Sequence, residues 1–305
     1  MSLSAYLEAR RTEIDAALAA WLPAPPETPA VVADAMRYSV TAGGKRLRPV
    51  LCLASAEAVG GDRASAMPAA CAIEFIHTYS LVHDDLPAMD NDTMRRGRPT
   101  LHVVAGEGMA ILAGDGLLTE AFALLSRHAG TGRAADAARP LRVIQVIAVA
   151  AGSAGMVGGQ ALDLACVTPD PSGRPALALD ADGLRAMHGR KTGALIRAAA
   201  VAGAIMGGAT DATIAAIDAA AAELGLAFQI VDDLLDVEGA SHDLGKTAGK
   251  DAAAGKPTYP ALYGVTQSRA MADACLARAE TSLVRAGLTD SRLLDIGRWI
   301  VAREN

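Results

Sequence analysis

Residues 64–90 read ASAMPAACAIEFIHTYSLVHDDLPAMD, and this stretch decides the fold class. Its apolar residues recur three or four positions apart as far as Asp84, which places them on one face of an α-helix. The same spacing recurs along nearly the whole chain. Stretches of alternating polar and apolar residues bounded by turn residues, which would indicate strands, are not evident. The sequence therefore predicts an all-α protein.

The composition also favours helices. Ala, the strongest helix former, is the commonest residue, and aromatic residues, which strands use, make up 3% of the chain. The Pro- and Gly-rich segments between helices are too short to be interdomain linkers, and no fixed-period repeat is evident. We expect one all-α domain over residues 1–305. Its predicted helices are Leu3–Leu22, Val31–Val40, Arg48–Val59, Ala64–Asp84, Ala110–His128, Leu141–Gly158, Leu184–Met206, Thr210–Val237, Arg269–Ala286 and Asp290–Arg303.

Composition and charge argue against several classes of protein. With 51% hydrophobic residues among 305, the chain can bury a large core and is not intrinsically disordered. A net charge of −6 argues against a nucleic-acid partner. The four cysteines lack the paired spacing of a zinc site or a redox dithiol. Reduced thiols in a cytoplasmic protein are therefore expected.

No segment of the sequence is expected to cross a membrane. The N-terminal residues alternate charged and apolar side chains at helical spacing, unlike a signal peptide or a membrane anchor. The most apolar stretch, residues 143–159, contains Gln145, Ser153 and several glycines. This composition favours a buried core helix over a membrane span.

Two acidic clusters each follow a strongly apolar helix. The first aspartate motif consists of Asp84, Asp85 and Asp90, and the second of Asp232, Asp233 and Asp236. Asp232 and Asp236 are four residues apart, so they share one face of a helix. In the first motif Pro87 must interrupt the helix, and we expect a bulged turn that returns Asp90 to the side of Asp84.

These clusters indicate a metal site. Like-charged carboxylates on one face repel each other, so a cation is expected between them. Oxygen ligands with no His or Cys close enough to complete a softer site suit Mg²⁺, which binds through a few carboxylates and substrate phosphate. A single cluster would more often be a solvated helix end. Two copies about 150 residues apart favour magnesium.

Basic residues lie close to both motifs. Lys45 and Arg48 open a predicted helix, where backbone N–H groups also favour anions. Arg95 and Arg96 follow the first motif directly, and all five lysines of the chain are next to Gly, Thr or an acidic motif. Fixed cations that face metal-bound phosphates are the arrangement that diphosphate chemistry requires.

Several common catalytic motifs are missing from the sequence. It contains no phosphate-binding GxxxxGK[ST] loop, no GxGxxG, no GxSxG and no HExxH. Nucleotide hydrolysis, dinucleotide redox chemistry, serine hydrolysis and zinc proteolysis therefore lack their usual signals. His77 and His83 lie on the helix that leads to Asp84, where a buried or phosphate-contacting role is favoured over that of a general base.

These motifs together resemble those of the trans-isoprenyl diphosphate synthases, most closely the bacterial farnesyl diphosphate synthases. The matching segments, in family order, are GGKRLRP, AIEFIHTYSLVHDDLPAMDNDTMRRGRPT, GRKTGAL, AFQIVDDLLD and DLGKTAGKDAAAGKPTYPALYG. The resemblance implies a single-domain, isoprenoid-synthase-type helical bundle around a deep central cavity. It also implies a homodimer, which agrees with the predicted helix over Gly193–Met206 being apolar on most of its surface.

The resemblance assigns roles to individual residues. Both aspartate motifs would hold Mg²⁺, three ions for each active site with Mn²⁺ as a substitute, bound to an allylic diphosphate such as dimethylallyl or geranyl diphosphate. Further contacts to this allylic substrate would come from Arg95, Lys191, Thr192, Gln229, Lys246 and Lys256. Isopentenyl diphosphate would bind to Lys45, Arg48, His77 and Arg96. The catalytic residues expected to promote ionisation are Asp84, Asp85, Asp90, Arg95, Lys191 and Asp232.

The resemblance also bears on the length of the product. In this family the positions four and five before the first motif form the floor of the pocket for the growing chain, and here they are Ser80 and Tyr79. Tyr79 would lie about 7 Å below Asp84, at 1.5 Å per residue. Together with the two-residue insertion in DDLPAMD, it resembles the farnesyl, fifteen-carbon type. The alternatives are a core aromatic without this role and a geranylgeranyl diphosphate synthase, because bacterial geranylgeranyl synthases share the insertion.

Two other functions are alternatives to prenyl transfer, and the sequence argues against both. A class I terpene cyclase also ionises a diphosphate at an aspartate motif, but its second motif usually contains Asn, Ser and Glu and its pocket many aromatic residues. The second aspartate motif, the low aromatic content and the basic pair Lys45 and Arg48 argue against it. A non-catalytic partner subunit of the same fold would be expected to have lost acidic residues that are intact here.

Overall fold

The computed structural model describes residues 1–129, 138–167, 175–239 and 257–303. Its helices are α1 (Leu3–Trp21), α2 (Ala30–Val40), α3 (Leu47–Ala58), α4 (Arg63–Asp84), α5 (Leu101–Ala105), α6 (Glu107–Ala129), α7 (Ala138–Ala151), α8 (Met156–Val167), α9 (Ala181–His188), a π-helix (Gly189–Gly193), α10 (Ala194–Gly207), α11 (Asp211–Gly239), α12 (Tyr259–Tyr263), α13 (Val265–Arg285) and α14 (Arg292–Ala302). A two-stranded antiparallel hairpin, β1 (Met94–Arg95) and β2 (Arg98–Pro99), lies between α4 and α5. The all-α prediction is confirmed.

Helix α4 lies at the centre of the main core. It packs against α3, α6 and α10, and α10 also packs against α11. Residues 66–76 of α4 are all buried. The abundance of Ala and Gly lets these helices approach closely: a Cβ on Gly203 of α10 would lie 1.9 Å from the carbonyl oxygen of Cys52 on α3. The small residues therefore serve helix packing as well as helix propensity.

Two predicted helices are broken in the structure. The helix predicted over Leu141–Gly158 is α7 and α8, because the chain turns between Gly152 and Gly155. The helix predicted over Leu184–Met206 is α9, the π-helix and α10 in continuous succession. The helices α5 and α12 and the hairpin were not predicted, because elements of two to five residues are too short to show a periodicity.

The two ends of the described chain meet. Arg292 in α14 donates a hydrogen bond of 2.7 Å to the carbonyl oxygen of Met1, and α14 packs against α1 and α3. These contacts agree with a single domain over residues 1–305, which stays a prediction.

Three helical stretches are long and apolar enough to cross a membrane by length and composition alone. They are Glu107–His128, Ala138–Val167 and Asp211–Glu238. In the structure α6 packs on α4, α7 on α10, and α11 on α10 and α13. The absence of a membrane span stays a prediction.

Candidate active site

The first aspartate motif lies where α4 ends. Asp84 is the last residue of α4, and the backbone N–H of Asp90 donates to the carbonyl oxygen of Asp84 at 2.9 Å. Asn91 follows with a left-handed backbone, φ 51°. The chain thus turns back after Pro87, as expected from the sequence, and Asp90 returns to the side of Asp84.

The carboxylate of Asp84 is held in surroundings that disfavour its negative charge. Its pKa is raised to about 6, chiefly by burial and also by the nearby carboxylates Asp90 and Asp85, whereas Lys191 and Arg95 act in the opposite direction. A group in this environment favours a cation close by. The effect of Lys191 also shows that the π-helix lies within electrostatic reach of the first motif.

Asp85 is buried and has a different environment from Asp84. Its two oxygens accept hydrogen bonds of 2.8 and 3.0 Å from Nε of Arg95, and a third contact to the guanidinium is 2.6 Å. Burial raises the pKa of Asp85, and the bond to Arg95 partly offsets that effect. The pair ties the end of α4 to strand β1.

The three aspartates of the second motif also differ in their burial and contacts. Asp233 is buried, and its oxygens accept from Nε2 of Gln229 at 2.9 Å and from the backbone N–H of Tyr259 at 3.0 Å. Asp232, one position earlier, is 56% exposed and contacts Arg303 at 3.1 Å. Asp236, on the Asp232 face of α11, is partly buried. Asp233 as a metal ligand stays a prediction, and its contacts here are to the protein.

The remaining allylic-site residues join α11 to the π-helix. Thr192 donates to Oε1 of Gln229 at 3.1 Å, so a chain of hydrogen bonds runs from Thr192 through Gln229 to Asp233. Lys191 donates to the carboxylate of Asp163 in α8. π-helical turns are rare and are often found at functional sites.

Sequence reasoning missed Asp163. It is buried on the apolar helix α8, and its partner is Lys191. Gly159, four residues earlier, lets the two elements touch, because a Cβ there would lie 2.1 Å from the backbone nitrogen of Lys191. A carboxylate in the apolar segment GGQALDLA was the available signal, because such a group needs a cationic partner.

The predicted isopentenyl-diphosphate residues form a basic cluster beside α4. Among the described residues, Nε of Arg48 is buried and has no hydrogen-bond partner. Burial lowers the pKa of Arg48 to about 10, opposed by the charges of Glu74 and Asp232. Burial also holds the pKa of His77 well below its ordinary value, and the charges of Arg48 and Arg96 add to this effect.

Two further members of this cluster lie at its edge. Arg96, left-handed at φ 51°, donates to the carbonyl oxygen of Gly43. Lys45 is exposed in the neighbouring loop. The influence of Asp232 on Arg48 shows that the basic cluster and the second motif lie within electrostatic reach of each other. Lys246 and Lys256 lie outside the described residues.

The donor set fits magnesium. Asp84, Asp90, Asp232 and Asp236 offer carboxylate oxygens, which Mg²⁺ prefers. Within the described parts of the chain, no three His, Cys, Asp or Glu side chains lie close enough to hold one metal ion. Mg²⁺ usually binds through one or two carboxylates with substrate phosphates supplying further oxygens, so this geometry agrees with binding as a diphosphate complex.

The two predicted chain-length residues lie on α4 below Asp84. Tyr79 is buried and makes an edge contact with His83, with ring centroids 5.6 Å apart. Burial raises the pKa of Tyr79, and the charge of Asp84 adds to the shift. Ser80 donates to the carbonyl oxygen of His77 at 2.9 Å. Their role in limiting the product stays a prediction.

The structure is an all-α bundle that brings two aspartate motifs within electrostatic reach of cationic side chains. A family model described as "Polyprenyl synthetase" matches residues 29–285. The chain is 46% identical over 281 residues to a chloroplastic geranylfarnesyl diphosphate synthase of Leucosceptrum canum, covering 92% of this chain and 74% of that protein. It is 46% identical over 280 residues to the chloroplastic geranylgeranyl pyrophosphate synthase 7 of Arabidopsis thaliana, covering 91% and 78%.

A solved structure agrees with these matches. An apo FPP/GFPP synthase from Zymomonas mobilis superposes with a TM-score of 0.84 at 38% identity, covering 98% of this chain and 99% of that one. The chain belongs to the polyprenyl synthetase family. It is therefore a prenyltransferase of isoprenoid biosynthesis that elongates trans-prenyl diphosphates.

Proposed function

We propose that the chain is a magnesium-dependent farnesyl diphosphate synthase that condenses isopentenyl diphosphate with dimethylallyl and geranyl diphosphate. One observation carries the proposal: Asp84, at the end of α4, lies within electrostatic reach of Lys191, and Asp232, within α11, lies within electrostatic reach of Arg48, whose buried Nε has no hydrogen-bond partner among the described residues. Such a region suits one diphosphate bound through a metal and a second bound directly by cations.

The allylic diphosphate lies between the two aspartate motifs in this proposal. Asp84, Asp90, Asp232 and Asp236 would hold Mg²⁺ there, and the metal would supply positive charge to offset the negative charge that develops on the departing diphosphate. Arg95 and Lys191 add fixed positive charge on the same side, so ionisation of the allylic C–O bond is favoured. Asp85 and Asp163 orient these two cations through the hydrogen bonds described above.

The second substrate, isopentenyl diphosphate, binds to Lys45, Arg48, His77 and Arg96. The buried Nε of Arg48, which has no hydrogen-bond partner within the described parts of the chain, supports this assignment, because a buried guanidinium donor needs an acceptor. Burial, reinforced by the charges of Arg48 and Arg96, holds the pKa of His77 well below its ordinary value, which favours a role for it as a hydrogen-bonding group over one as a further charge. The double bond of this substrate attacks the allylic cation, and the departed diphosphate takes the proton.

The proposed product has fifteen carbons. The buried ring of Tyr79, one and a half turns below Asp84, supports a floor that stops the chain after three isoprene units. Geranylgeranyl diphosphate is the second candidate, because one similar relative is named as a geranylgeranyl synthase and another as a geranylfarnesyl synthase.

We further propose a cytoplasmic homodimer. Large apolar side chains remain exposed on α6 to α8 of the single chain, among them Ile111, Leu112, Val149 and Val157. Exposed large apolar side chains on three consecutive helices favour a protein interface. Sedimentation velocity of the purified protein should give twice the chain mass, and a monomer at micromolar concentration would contradict the homodimer.

The activity is tested by incubating the purified protein with isopentenyl diphosphate, Mg²⁺ and either allylic substrate. We expect farnesyl diphosphate by mass spectrometry and no condensation after treatment with EDTA, with recovery when Mg²⁺ is restored. A protein that condenses neither pair would contradict the proposed reaction. Mainly twenty-carbon product would support the second candidate.

A further inference from the structure

A buried ion-pair network lies behind the basic cluster. Arg46 donates to Oε1 of Glu74 at 2.8 Å, to Oδ1 of Asp15 at 2.8 Å and to the carbonyl oxygen of Val40 at 2.7 Å. The side chains of Arg46 and Glu74 are each 2% exposed, whereas that of Asp15 is 45% exposed. A buried charge pair of this kind is weak evidence for stability, because desolvation offsets the attraction. The buried pair of Arg46 and Glu74 is therefore better explained by a role other than stability.

The network anchors a backbone that L-residues rarely adopt. Arg46 is left-handed at φ 49°, although it has a side chain, and it follows Gly43 at φ 80° and Gly44 at φ 127°. Non-glycine residues occupy this region at a cost in free energy and remain there only where surrounding contacts hold them. The three hydrogen bonds of the Arg46 side chain are such contacts.

The anchored loop carries the basic cluster. Lys45 lies inside it, and the carbonyl oxygen of Arg46 accepts from Val50 at 3.0 Å, so Arg46 begins the helix on which Arg48 lies. Glu74 lies on α4 three residues before His77. One carboxylate therefore joins the loop to the helix that supplies the other side of the cluster.

The loop is also held from the outside. Arg96 donates to the carbonyl oxygen of Gly43, and a Cβ on Gly44 would lie 2.6 Å from the guanidinium carbon of Arg96. The backbone angle favours glycine there, and a side chain at this position would also displace the guanidinium of Arg96. The position of Arg96 thus depends on the same loop conformation that Arg46 maintains.

We propose that Glu74 is a positioning residue for the homoallylic substrate: through Arg46 it fixes the Gly43–Arg46 loop, and so places Lys45, Arg48 and Arg96 on the diphosphate of isopentenyl diphosphate. The inference rests on the proposed function. It assigns to Glu74 an effect on one substrate only, because the three hydrogen bonds of the Arg46 side chain involve neither aspartate motif.

The sign of the effect separates this role from simple electrostatics. A carboxylate among cations weakens the attraction for a diphosphate, so neutralising Glu74 without moving the loop would tighten isopentenyl diphosphate binding. If Glu74 positions the loop, the same change weakens that binding. A stability role alone would lower the melting temperature and leave both KM values unchanged.

The test compares Glu74→Gln with Glu57→Gln. Glu57 is a matched control, because it accepts from Tyr6 at 2.7 Å, Arg10 at 3.2 Å and Arg63 at 2.9 Å, in a partly buried network near the opposite end of α3. For Glu74→Gln we expect KM for isopentenyl diphosphate to rise about tenfold, with KM for geranyl diphosphate and kcat within about twofold. Glu57→Gln should lower the melting temperature without changing either KM.

A milder variant keeps the test informative if Glu74→Gln does not fold. Asp15→Asn removes the negative charge of the exposed partner of Arg46 and so weakens their contact, and we expect a rise of about threefold in the same KM. An unchanged or lowered KM for isopentenyl diphosphate in the folded variants, with an active wild-type enzyme, would overturn the inference alone. A wild-type protein that condenses no substrates would overturn the proposed function and this inference together.

Discussion

The two aspartate motifs have the same pair of adjacent acids but place them in different surroundings. In each, the second Asp is buried and binds protein: Asp85 binds the guanidinium of Arg95, and Asp233 binds a side-chain amide and a backbone N–H. The first Asp differs between the two motifs. Asp84 is partly buried among other carboxylates, whereas Asp232 is exposed and contacts Arg303.

This difference follows from how each helix continues. Pro87 ends α4 at the first motif, so the chain folds back and crowds Asp90 against Asp84. Helix α11 runs through the second motif without a break, so Asp232 and Asp233 point to different sides of one helix. The same residue pattern therefore yields a crowded acidic site in one motif and a more open one in the other.

The largest expected effect tests what the motifs share. Asp84→Asn and Asp232→Asn should each lower kcat by about a thousandfold, because each removes a carboxylate that would hold the Mg²⁺ on which ionisation of the diphosphate depends. Circular dichroism should show folded protein in both cases. As a control, Asp290→Asn at an exposed position outside the site should retain wild-type rates. A near-normal rate in either variant would remove that motif from the metal site.

The next effect concerns the buried acids. Asp233 accepts hydrogen bonds from Gln229 and from the backbone N–H of Tyr259, and Asp233→Asn replaces one accepting oxygen with an N–H₂ group that cannot accept. We therefore expect the Gln229 side chain to shift, and the side chain of Thr192, which is bonded to it, to move as well. We expect KM for geranyl diphosphate to rise about tenfold while kcat falls less than in Asp232→Asn. Steady-state kinetics measures both. A loss in kcat as large as that of Asp232→Asn would indicate that Asp233 binds the metal directly.

A third prediction concerns Tyr79, which lies on α4 five residues before Asp84. Tyr79→Ala should lengthen the product by about one isoprene unit or more, because it removes the ring below Asp84. The product distribution is measured by mass spectrometry. Ser80→Ala should have a smaller effect, because its hydroxyl bonds to the backbone of its own helix. An unchanged distribution in Tyr79→Ala would defeat the floor assignment.

The smallest expected effect is a difference in the free energy of unfolding between variants of Asp84 and Asp232, the first Asp of each motif. Without Mg²⁺, Asp84→Asn should raise the free energy of unfolding by about 1–2 kcal/mol, because it relieves burial of a charge among carboxylates. Asp232→Asn should lower it by about 1 kcal/mol, because Arg303, 4% exposed, loses its charge partner. Urea denaturation measures both. Changes of the same sign would contradict the contrast drawn here.

Local patterns in the sequence predicted much of the fold and the outer part of the site. The ends of α4 lie within one residue of the prediction, because an apolar period and a proline define them. The return of Asp90 to Asp84 followed from Pro87. These features depend on residues close together in the chain.

The remaining features depend on contacts between distant segments. Nothing near Asp163 identifies Lys191 as its partner, and nothing near Glu74 identifies Arg46, since 28 residues separate each pair. The π-helix at Lys191 and the break at Gly152–Gly155 also lie inside segments with an apolar helical period. These features depend on tertiary packing, which the periodicity of the sequence does not indicate.

The most direct test of the account is a crystal structure with Mg²⁺ and inorganic pyrophosphate. We predict pyrophosphate between the ends of α4 and α11, with metal ions contacting Asp84, Asp90, Asp232 and Asp236, and with Asp85 and Asp233 still bonded to Arg95 and Gln229. Pyrophosphate bound away from both motifs, or without metal ions on these four carboxylates, would contradict it.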